Sequence, residues 1–372
     1  MKPLSIYIHI PFCKSRCHYC DFLTFDDKPC QIEDYVKALE EDIAASGADF
    51  MGYSVETVFF GGGTPSLLTT GQLGGILRAL NDNFSLYKNC HMSVEANPDT
   101  VDKTYLAELY GLGFRRISFG VQSFDDEILK HIGRVHNADA ARKAVEMAQK
   151  AGFDDISVDL IFALPHQTLD NFKASLDAAL SLPITHISCY ALSVEGGTPL
   201  AENKPLVDAI PDDALDRQMY ALAKEKLAEA GFEHYEISNW AKEGYMCRHN
   251  LGYWTGREYL GLGLGASSYF GGKRLKKTEC LESYIKGDFS FSHTETIDKQ
   301  TQMAEFALLG LRLTEGICVA DFKNRFNQDI FEVYGEVLTG FLNQGLLVQK
   351  NNKISLTPKG LDLSNTVFCE FL

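Results

Sequence analysis

Short apolar runs alternate with segments of helical periodicity from residue 5 to about residue 240. This alternation is typical of βα units around a parallel sheet, and six or more units predict an α/β fold with a full or partial (β/α) barrel. Helices are predicted near residues 31–46, 70–82, 101–111, 137–151, 168–181 and 211–231. The predicted strands are Ser5–Ile10, Thr57–Phe60, His91–Ala96, Arg116–Val121, Ile156–Phe162, Ile184–Leu192 and Tyr235–Ser238.

The pattern changes after about residue 240, where the Gly-rich stretch EYLGLGLGASSYFGG leads into a charged connection. Helices are predicted beyond residue 297, followed by strands at Leu346–Gln349 and Lys353–Leu356 that Asn351 and Asn352 join. Helices followed by a tight hairpin resemble a winged helix. We therefore predict a barrel over residues 1–240, a connecting segment over 241–296 and a C-terminal helical, winged-helix-like domain over 297–372.

Composition excludes some classes of function. The 372 residues include 35 Lys and Arg and 50 Asp and Glu, which gives a net charge of −15 and argues against nucleic-acid binding. The short basic stretch Lys273–Lys277 does not reverse this balance, and we expect it to be a solvated loop. No transmembrane span or signal peptide is recognisable, so we expect a cytoplasmic protein whose 10 cysteines are reduced thiols or metal ligands. Reversible contact with a membrane surface stays open.

Three cysteines follow the first predicted strand with the spacing C-x3-C-x2-C, at Cys13, Cys17 and Cys20. Three thiolates can hold three irons of a cubane cluster and leave the fourth iron open to another ligand. A structural zinc site prefers four ligands and would have to recruit Cys30 or Cys247 from elsewhere in the chain. Free, unligated cysteines are the third interpretation.

Other chemically distinctive residues follow later strands. The stretch Gly61–Pro65 lacks the sequence of a phosphate loop or a dinucleotide fingerprint, so it is either a tight turn or a backbone that approaches a ligand closely. Glu95 and Asp159 can accept hydrogen bonds, Gln122 can donate and accept, and Arg134 can bind a carboxylate. Each of these side chains could instead make a surface salt bridge or cap a helix. Because strand ends meet at one rim of a barrel, we expect them to lie together.

The cysteine spacing resembles that of the radical S-adenosylmethionine (SAM) superfamily. This resemblance implies a partial (β/α)6 radical SAM barrel and a [4Fe-4S] cluster whose open iron SAM chelates through its amino and carboxylate groups. It also implies an electron donor if the reduced cluster cleaves SAM to methionine and a 5′-deoxyadenosyl radical.

Seven ordered motifs narrow the resemblance to one branch of the superfamily. The motifs are YIHIPFC, the cysteine loop, FFGGGTPS, SVEANP, ISFGVQSF, HIGRVH and SVDLIFALPHQT. They resemble the branch that contains the oxygen-independent coproporphyrinogen III oxidase HemN and the heme chaperone HemW. By position, the resemblance implies SAM contacts from Tyr7, Tyr19, Gly62, Gly63, Thr64, Glu95, Gln122, Arg134, Asp159 and Ala191.

Three features separate the chaperone from the oxidase. Phe22 stands where the oxidase branch has a further cysteine, and only 12 residues precede Cys13, so the longer N-terminal arm of the oxidase is not expected. The stretch CRHNLGYW at residues 247–254 resembles the H-N-x-x-Y-W signature of the chaperone, although such a cluster can also be a satisfied core element. The resemblance implies a protein that binds heme and delivers it to acceptor apoproteins. Heme contacts are expected from His249, ahead of Cys247 as axial ligand, and from Tyr253 and Trp254.

Two other functions remain open at this point. A radical SAM enzyme of porphyrin biosynthesis, similar to coproporphyrinogen III oxidase, would act on a tetrapyrrole as an oxidoreductase. A zinc-bound scaffold protein would contain neither iron nor SAM.

Overall fold

Fifteen strands and sixteen α-helices make up the computed structural model, which describes residues 1–372. The strands are β1 (Lys2–Ile10), β2 (Tyr53–Gly62), β3 (Leu86–Ala96), β4 (Arg116–Gln122), β5 (Asp155–Phe162), β6 (His186–Ala191), β7 (Glu233–Glu236), β8 (Asn239–Ala241), β9 (Tyr259–Leu262), β10 (Ser267–Phe270), β11 (Lys273–Lys277), β12 (Phe291–Thr296), β13 (Ile317–Cys318), β14 (Leu347–Lys350) and β15 (Lys353–Leu356). The helices are α1 (Ile32–Gly47), α2 (Thr70–Asn83), α3 (Lys103–Gly111), α4 (Asp126–His131), α5 (Ala138–Ala151), α6 (Leu169–Leu180), α7 (Pro199–Glu202), α8 (Lys204–Val207), α9 (Asp213–Glu229), α10 (Arg248–Trp254), α11 (Leu281–Ile285), α12 (Lys299–Gly310), α13 (Val319–Phe326), α14 (Ile330–Asn343), α15 (Pro358–Asp362) and α16 (Ser364–Cys369).

One sheet of twelve strands organises the chain, in the order β12-β11-β10-β9-β1-β2-β3-β4-β5-β6-β8-β7. Strands β1 to β6 are parallel and consecutive, and helices connect them. The sheet continues beyond β1 with the parallel strand β9 and an antiparallel extension, and beyond β6 with the antiparallel hairpin of β7 and β8. The six parallel strands confirm the predicted βα units and bring their carboxyl ends to one edge.

Burial explains why these segments form a parallel sheet. Leu4, Ile6, Ile8 and Ile10 on one face of β1 are fully buried, and Ser5 and His9 on the other face are buried as well, as expected for a strand covered on both faces. They belong to a hydrophobic core of 55 buried residues. Of the predicted strand Tyr235–Ser238, the first two residues end β7 and the last two form the turn that leads to β8.

Polar residues fix where the connecting helices begin. Thr69 precedes α2, where its side chain accepts from the amide of Gln72 while the Gln72 side chain accepts from the Thr69 amide. Thr168 and Asn171 form the equivalent pair before α6. These capping boxes satisfy amides that would otherwise lack partners, which accounts for helix starts close to the predicted positions.

The C-terminal region has a hydrophobic core of its own, with 15 buried residues from α12 to α16 and their strands. Its three strands form a second sheet in the order β13-β15-β14. Asn351 and Asn352 join β14 to β15 with φ values of 51° and 62°, the left-handed conformation that a two-residue hairpin turn requires. This hairpin was predicted, whereas the three-part division of the chain stays a prediction.

The basic stretch at residues 273–277 is not a solvated loop. It forms β11, and the alternation of side chains along the strand directs Lys277 into the interior. The Lys277 ammonium donates to Asp42 at 2.6 Å and to the Phe289 carbonyl at 3.0 Å, and the Tyr284 hydroxyl donates to Asp42 at 3.0 Å. Lys277 therefore anchors the sheet extension to α1. No helix combines the length and apolar character needed to cross a membrane.

Candidate functional site

The carboxyl ends of the parallel strands surround a cavity of about 390 Å³. Its walls bring together the three cysteines and nine of the residues predicted to contact SAM. These nine are Tyr19, Gly62, Gly63, Thr64, Glu95, Gln122, Arg134, Asp159 and Ala191. The tenth, Tyr7, lines an adjoining cavity instead.

The cysteine loop that follows β1 is fixed by distant parts of the chain. The Cys13 amide donates to the Phe25 carbonyl at 2.9 Å, which closes the loop on itself. The His18 amide donates to the Ile132 carbonyl at 3.0 Å, and the Leu200 amide donates to the His18 carbonyl at 2.8 Å. The loop is therefore shaped by backbone hydrogen bonds that involve no metal.

The glycine stretch at the end of β2 packs directly against β1 and the start of the cysteine loop. A Cβ atom at Gly62, whose φ is +110°, would lie 2.5 Å from the His9 ring, and one at Gly63 would lie 2.6 Å from the Phe12 carbonyl oxygen. The Thr64 amide donates to that same carbonyl at 2.8 Å. Glycine is thus required because the two loops touch and because φ is positive.

The thiols lie among polar groups in a partly buried loop. The Thr64 hydroxyl donates to the Cys13 sulfur at 3.6 Å, and the Arg134 guanidinium donates to the Cys17 sulfur at 3.2 Å. Burial raises the pKa of Cys13 to about 11 and also raises the pKa of Cys20. Cys13 and Cys20 are therefore protonated at neutral pH, and metal binding must displace their protons.

The spacing of the thiols bears on which metal they suit. No group of three or more His, Cys, Asp or Glu side chains is arranged to hold a single metal ion. Around one zinc ion, sulfur atoms bound at about 2.3 Å would have to lie within about 4.6 Å of one another. Thiolates are the usual protein ligands of iron–sulfur clusters, so the all-thiolate donor set of Cys13, Cys17 and Cys20 fits a cluster of several irons.

Two carboxyl groups face the cavity from neighbouring strands. Glu95 accepts from the Gly62 amide at 3.2 Å, and burial together with the negative charge of Asp159 raises the pKa of Glu95 to about 8. Asp159 accepts from Ser118 at 3.1 Å and from Ser188 at 2.7 Å, while burial raises its pKa. These carboxyl groups favour a cationic or hydrogen-bond-donating ligand, because such a ligand offsets the cost of their ionisation.

Arg134 and Gln122 complete the wall at the end of β4. Arg134 donates to the Asn97 side-chain oxygen at 2.8 Å and to the Gly120 carbonyl, while Asn97 donates to Thr64 at 3.0 Å. Gln122 has a φ of 68°, a left-handed conformation that costs energy for a residue with a Cβ atom. Sequence reasoning missed Asn97, although it lies two positions after Glu95 in the motif SVEANP.

A larger cavity of about 820 Å³ adjoins the first and shares part of its wall, including Phe22. The Tyr7 hydroxyl lies 3.0 Å from His9 Nδ1 on one side of this cavity. Acidic side chains outnumber basic ones in its lining, with Asp21, Asp26, Asp27 and Glu279 against Arg16 and Lys276. The larger cavity therefore disfavours an anionic occupant.

The motif of residues 247–254 forms α10, and its histidine points inward. His249 is 2% exposed, with Nδ1 2.9 Å from the Thr57 hydroxyl and Nε2 2.9 Å from the Tyr253 hydroxyl. Its ring stacks on Phe59 at 5.0 Å, and burial lowers its pKa to about 3. Cys247 is 1% exposed. Ligation of heme iron by His249 would require one of its two hydrogen bonds to break, so this role stays a prediction.

Comparison with known proteins decides the family. The family model of the radical SAM superfamily matches residues 7–179, and that of the HemN C-terminal domain matches residues 297–363. The heme chaperone HemW of Lactococcus lactis is 36% identical over 100% of this chain and 98% of its own length. HemW of Bacillus subtilis is 36% identical with 99% of each chain covered, and HemW of Escherichia coli is 34% identical with 87% and 86% covered. The chain belongs to the HemW family.

The fold of this HemW-family chain is also that of a solved radical SAM enzyme. Coproporphyrinogen III oxidase HemN from Escherichia coli superposes with a TM-score of 0.88 at 21% identity, covering 100% of this chain and 90% of HemN. The predicted radical SAM barrel with a C-terminal helical domain is thereby confirmed. Membership of the radical SAM superfamily implies a [4Fe-4S] cluster and SAM.

Proposed function

We propose that this HemW-family chain is a heme chaperone that binds a [4Fe-4S] cluster, SAM and heme and delivers heme to acceptor apoproteins in the cytoplasm. The observation that carries the proposal is the end-to-end similarity to heme chaperones at 36% identity. Such similarity covers the barrel, the motif helix and the C-terminal region together.

In this proposal Cys13, Cys17 and Cys20 hold three irons of the cluster, and SAM occupies the cavity beside the fourth. Bound together, cluster and SAM would supply reductive cleavage of the sulfonium, given an electron donor. Gly62 and Gly63 line the cavity without side chains, so their backbone would accept hydrogen bonds from the ligand amino group. Tyr7 lines the adjoining cavity, so it would contact SAM only where the two cavities meet.

The charged groups of the cavity would divide the remaining contacts. Arg134 and Gln122 are suited to the SAM carboxylate, since both can donate hydrogen bonds. Glu95 and Asp159 are suited to the amino group and ribose hydroxyls, which can donate to them. Tyr19 and Ala191 would add packing along the cavity wall.

Two observations favour the chaperone over a coproporphyrinogen oxidase. Phe22 is 61% exposed at the position where the oxidase branch carries a further cysteine, so no fourth thiol stands beside the three. The larger cavity next to the SAM cavity has a net acidic lining, which would repel a substrate that carries several carboxylates.

Heme transfer from the reconstituted protein tests the proposal. The anaerobically reconstituted chain is loaded with heme and mixed with an apo-cytochrome of the b type. Heme should then appear in the acceptor faster than from the same concentration of free heme. Absence of a Soret band in the loaded chain would refute the proposal. Conversion of coproporphyrinogen III to protoporphyrinogen with SAM and a reductant would establish the oxidase instead.

A further inference from the structure

Two cavities of about 440 and 350 Å³ lie between the motif helix α10 and the C-terminal helices α12 and α13. They share three wall residues: Trp254 from α10, Phe306 from α12 and Arg325 from α13. Each cavity falls in the size range typical of small-molecule sites. Neither includes a cysteine of the C-x3-C-x2-C loop.

Aromatic side chains line both cavities and are concentrated in the smaller one, where they make up five of the 12 wall residues. Tyr253, Tyr259 and Tyr269 join Trp254 and Phe306 around the smaller one. Tyr253 and Tyr259 also line the large acidic cavity, so these two rings separate it from the cavity at the C-terminal helices. Several rings facing one space favour a flat, conjugated ligand.

The charge of the same walls is suited to a carboxylate. Arg325 is exposed and donates to the Gly256 carbonyl at 3.2 Å, and it is the wall arginine that makes no ion pair. The other two, Arg257 and Arg274, each pair with a glutamate. Arginine binds carboxylates through two parallel hydrogen bonds when the geometry allows.

We propose that heme binds between α10 and the C-terminal helices, packed against Trp254 and Phe306, with a propionate paired to Arg325. This inference rests on the proposed heme-chaperone function and adds the C-terminal domain to the heme site. The walls also contain a side chain able to ligate ferric iron, the Cys318 thiol. Both nitrogens of His249, by contrast, are already hydrogen-bonded.

Heme titration followed at the Soret band tests this site with three variants of the full chain. Arg325→Gln should weaken heme binding about tenfold, the loss of about 1.4 kcal/mol expected for one charge-assisted pair. Lys323→Gln removes the same charge from an exposed position of the same helix α13 and should leave the affinity unchanged. Lys276→Gln removes a cation from the large acidic cavity and should also have no effect. Unchanged melting temperatures verify that all three variants fold.

Heme dimethyl ester supplies the second arm, because its propionates carry no charge. The wild type should bind the ester about tenfold more weakly than heme. Arg325→Gln should bind both ligands with equal affinity, because the ester and the variant each remove the same pair between Arg325 and a propionate. Equal heme affinity of Arg325→Gln and wild type, or a loss confined to Lys276→Gln, would overturn the site. A wild type that binds no heme would instead refute the proposed function itself.

Discussion

Replacement of Glu95 by glutamine should stabilise the SAM-free protein at neutral pH. The Glu95 carboxyl has a pKa raised from 4.5 to about 8, chiefly by burial and then by Asp159. In the window between these values the folded chain holds a proton that the unfolded chain has lost, so stability falls as pH rises. At pH 7 this group costs at most about 3 kcal/mol, taken from about 1.36 kcal/mol per pKa unit.

Urea denaturation of the SAM-free, anaerobic protein between pH 4.5 and pH 8 measures this effect. Glu95→Gln should flatten the fall in stability across the window while keeping the acceptor for the Gly62 amide. Glu146→Gln, an exposed site without an ion-pair partner, is the matched control and should follow the wild type. The same Glu95 variant should lose about tenfold in SAM affinity if the carboxylate binds a donor of SAM. Identical pH profiles for Glu95→Gln and wild type would refute the reasoning.

Three further outcomes follow from the packing around the site. Gly63→Ala should lower the free energy of unfolding by about 2 kcal/mol and reduce iron incorporation, because its Cβ would lie 2.6 Å from the Phe12 carbonyl oxygen. Gly71→Ala is the control and should leave stability unchanged, because the nearest atom to its Cβ would be 3.8 Å away. Lys277→Met should destabilise the fold by about 3–5 kcal/mol in urea denaturation, because it leaves the buried Asp42 carboxylate without its partner. The added Asp42→Asn should recover much of this loss, and a double variant no more stable than Lys277→Met would contradict the reasoning. Stripping the iron should abolish SAM binding yet leave the heme affinity, read at the Soret band, within about twofold, since the two sites share no ligand.

Sequence pattern predicted the parts of the molecule that rest on local chemistry. Parallel strands buried on both faces appear in the sequence as nearly continuous apolar runs. The three cysteines form one short motif at residues 13–20, and the three glycines form another at residues 61–63. The rule that parallel strand ends meet at one edge predicts that Glu95, Gln122 and Asp159 lie close together, and all three line one cavity.

Contacts between distant residues were beyond that reasoning. Lys277 reads as part of a basic surface stretch, and only its partner Asp42, 235 positions away, makes it an interior residue. His249 reads as a heme ligand, yet Thr57, 192 positions away, occupies one of its nitrogens. The short helix α4 was not predicted because six residues give little periodic signal.

The hydrogen bonds that shape the cysteine loop have a consequence for synthesis in the cell. The loop leaves the ribosome well before Ile132 and Leu200, whose backbones hold His18. Until then three adjacent thiols are carried by an unstructured segment and are open to oxidation. For the cluster proposed on these thiols, we therefore expect assembly to follow translation of the barrel, so that iron and sulfide meet a folded chain rather than a nascent one.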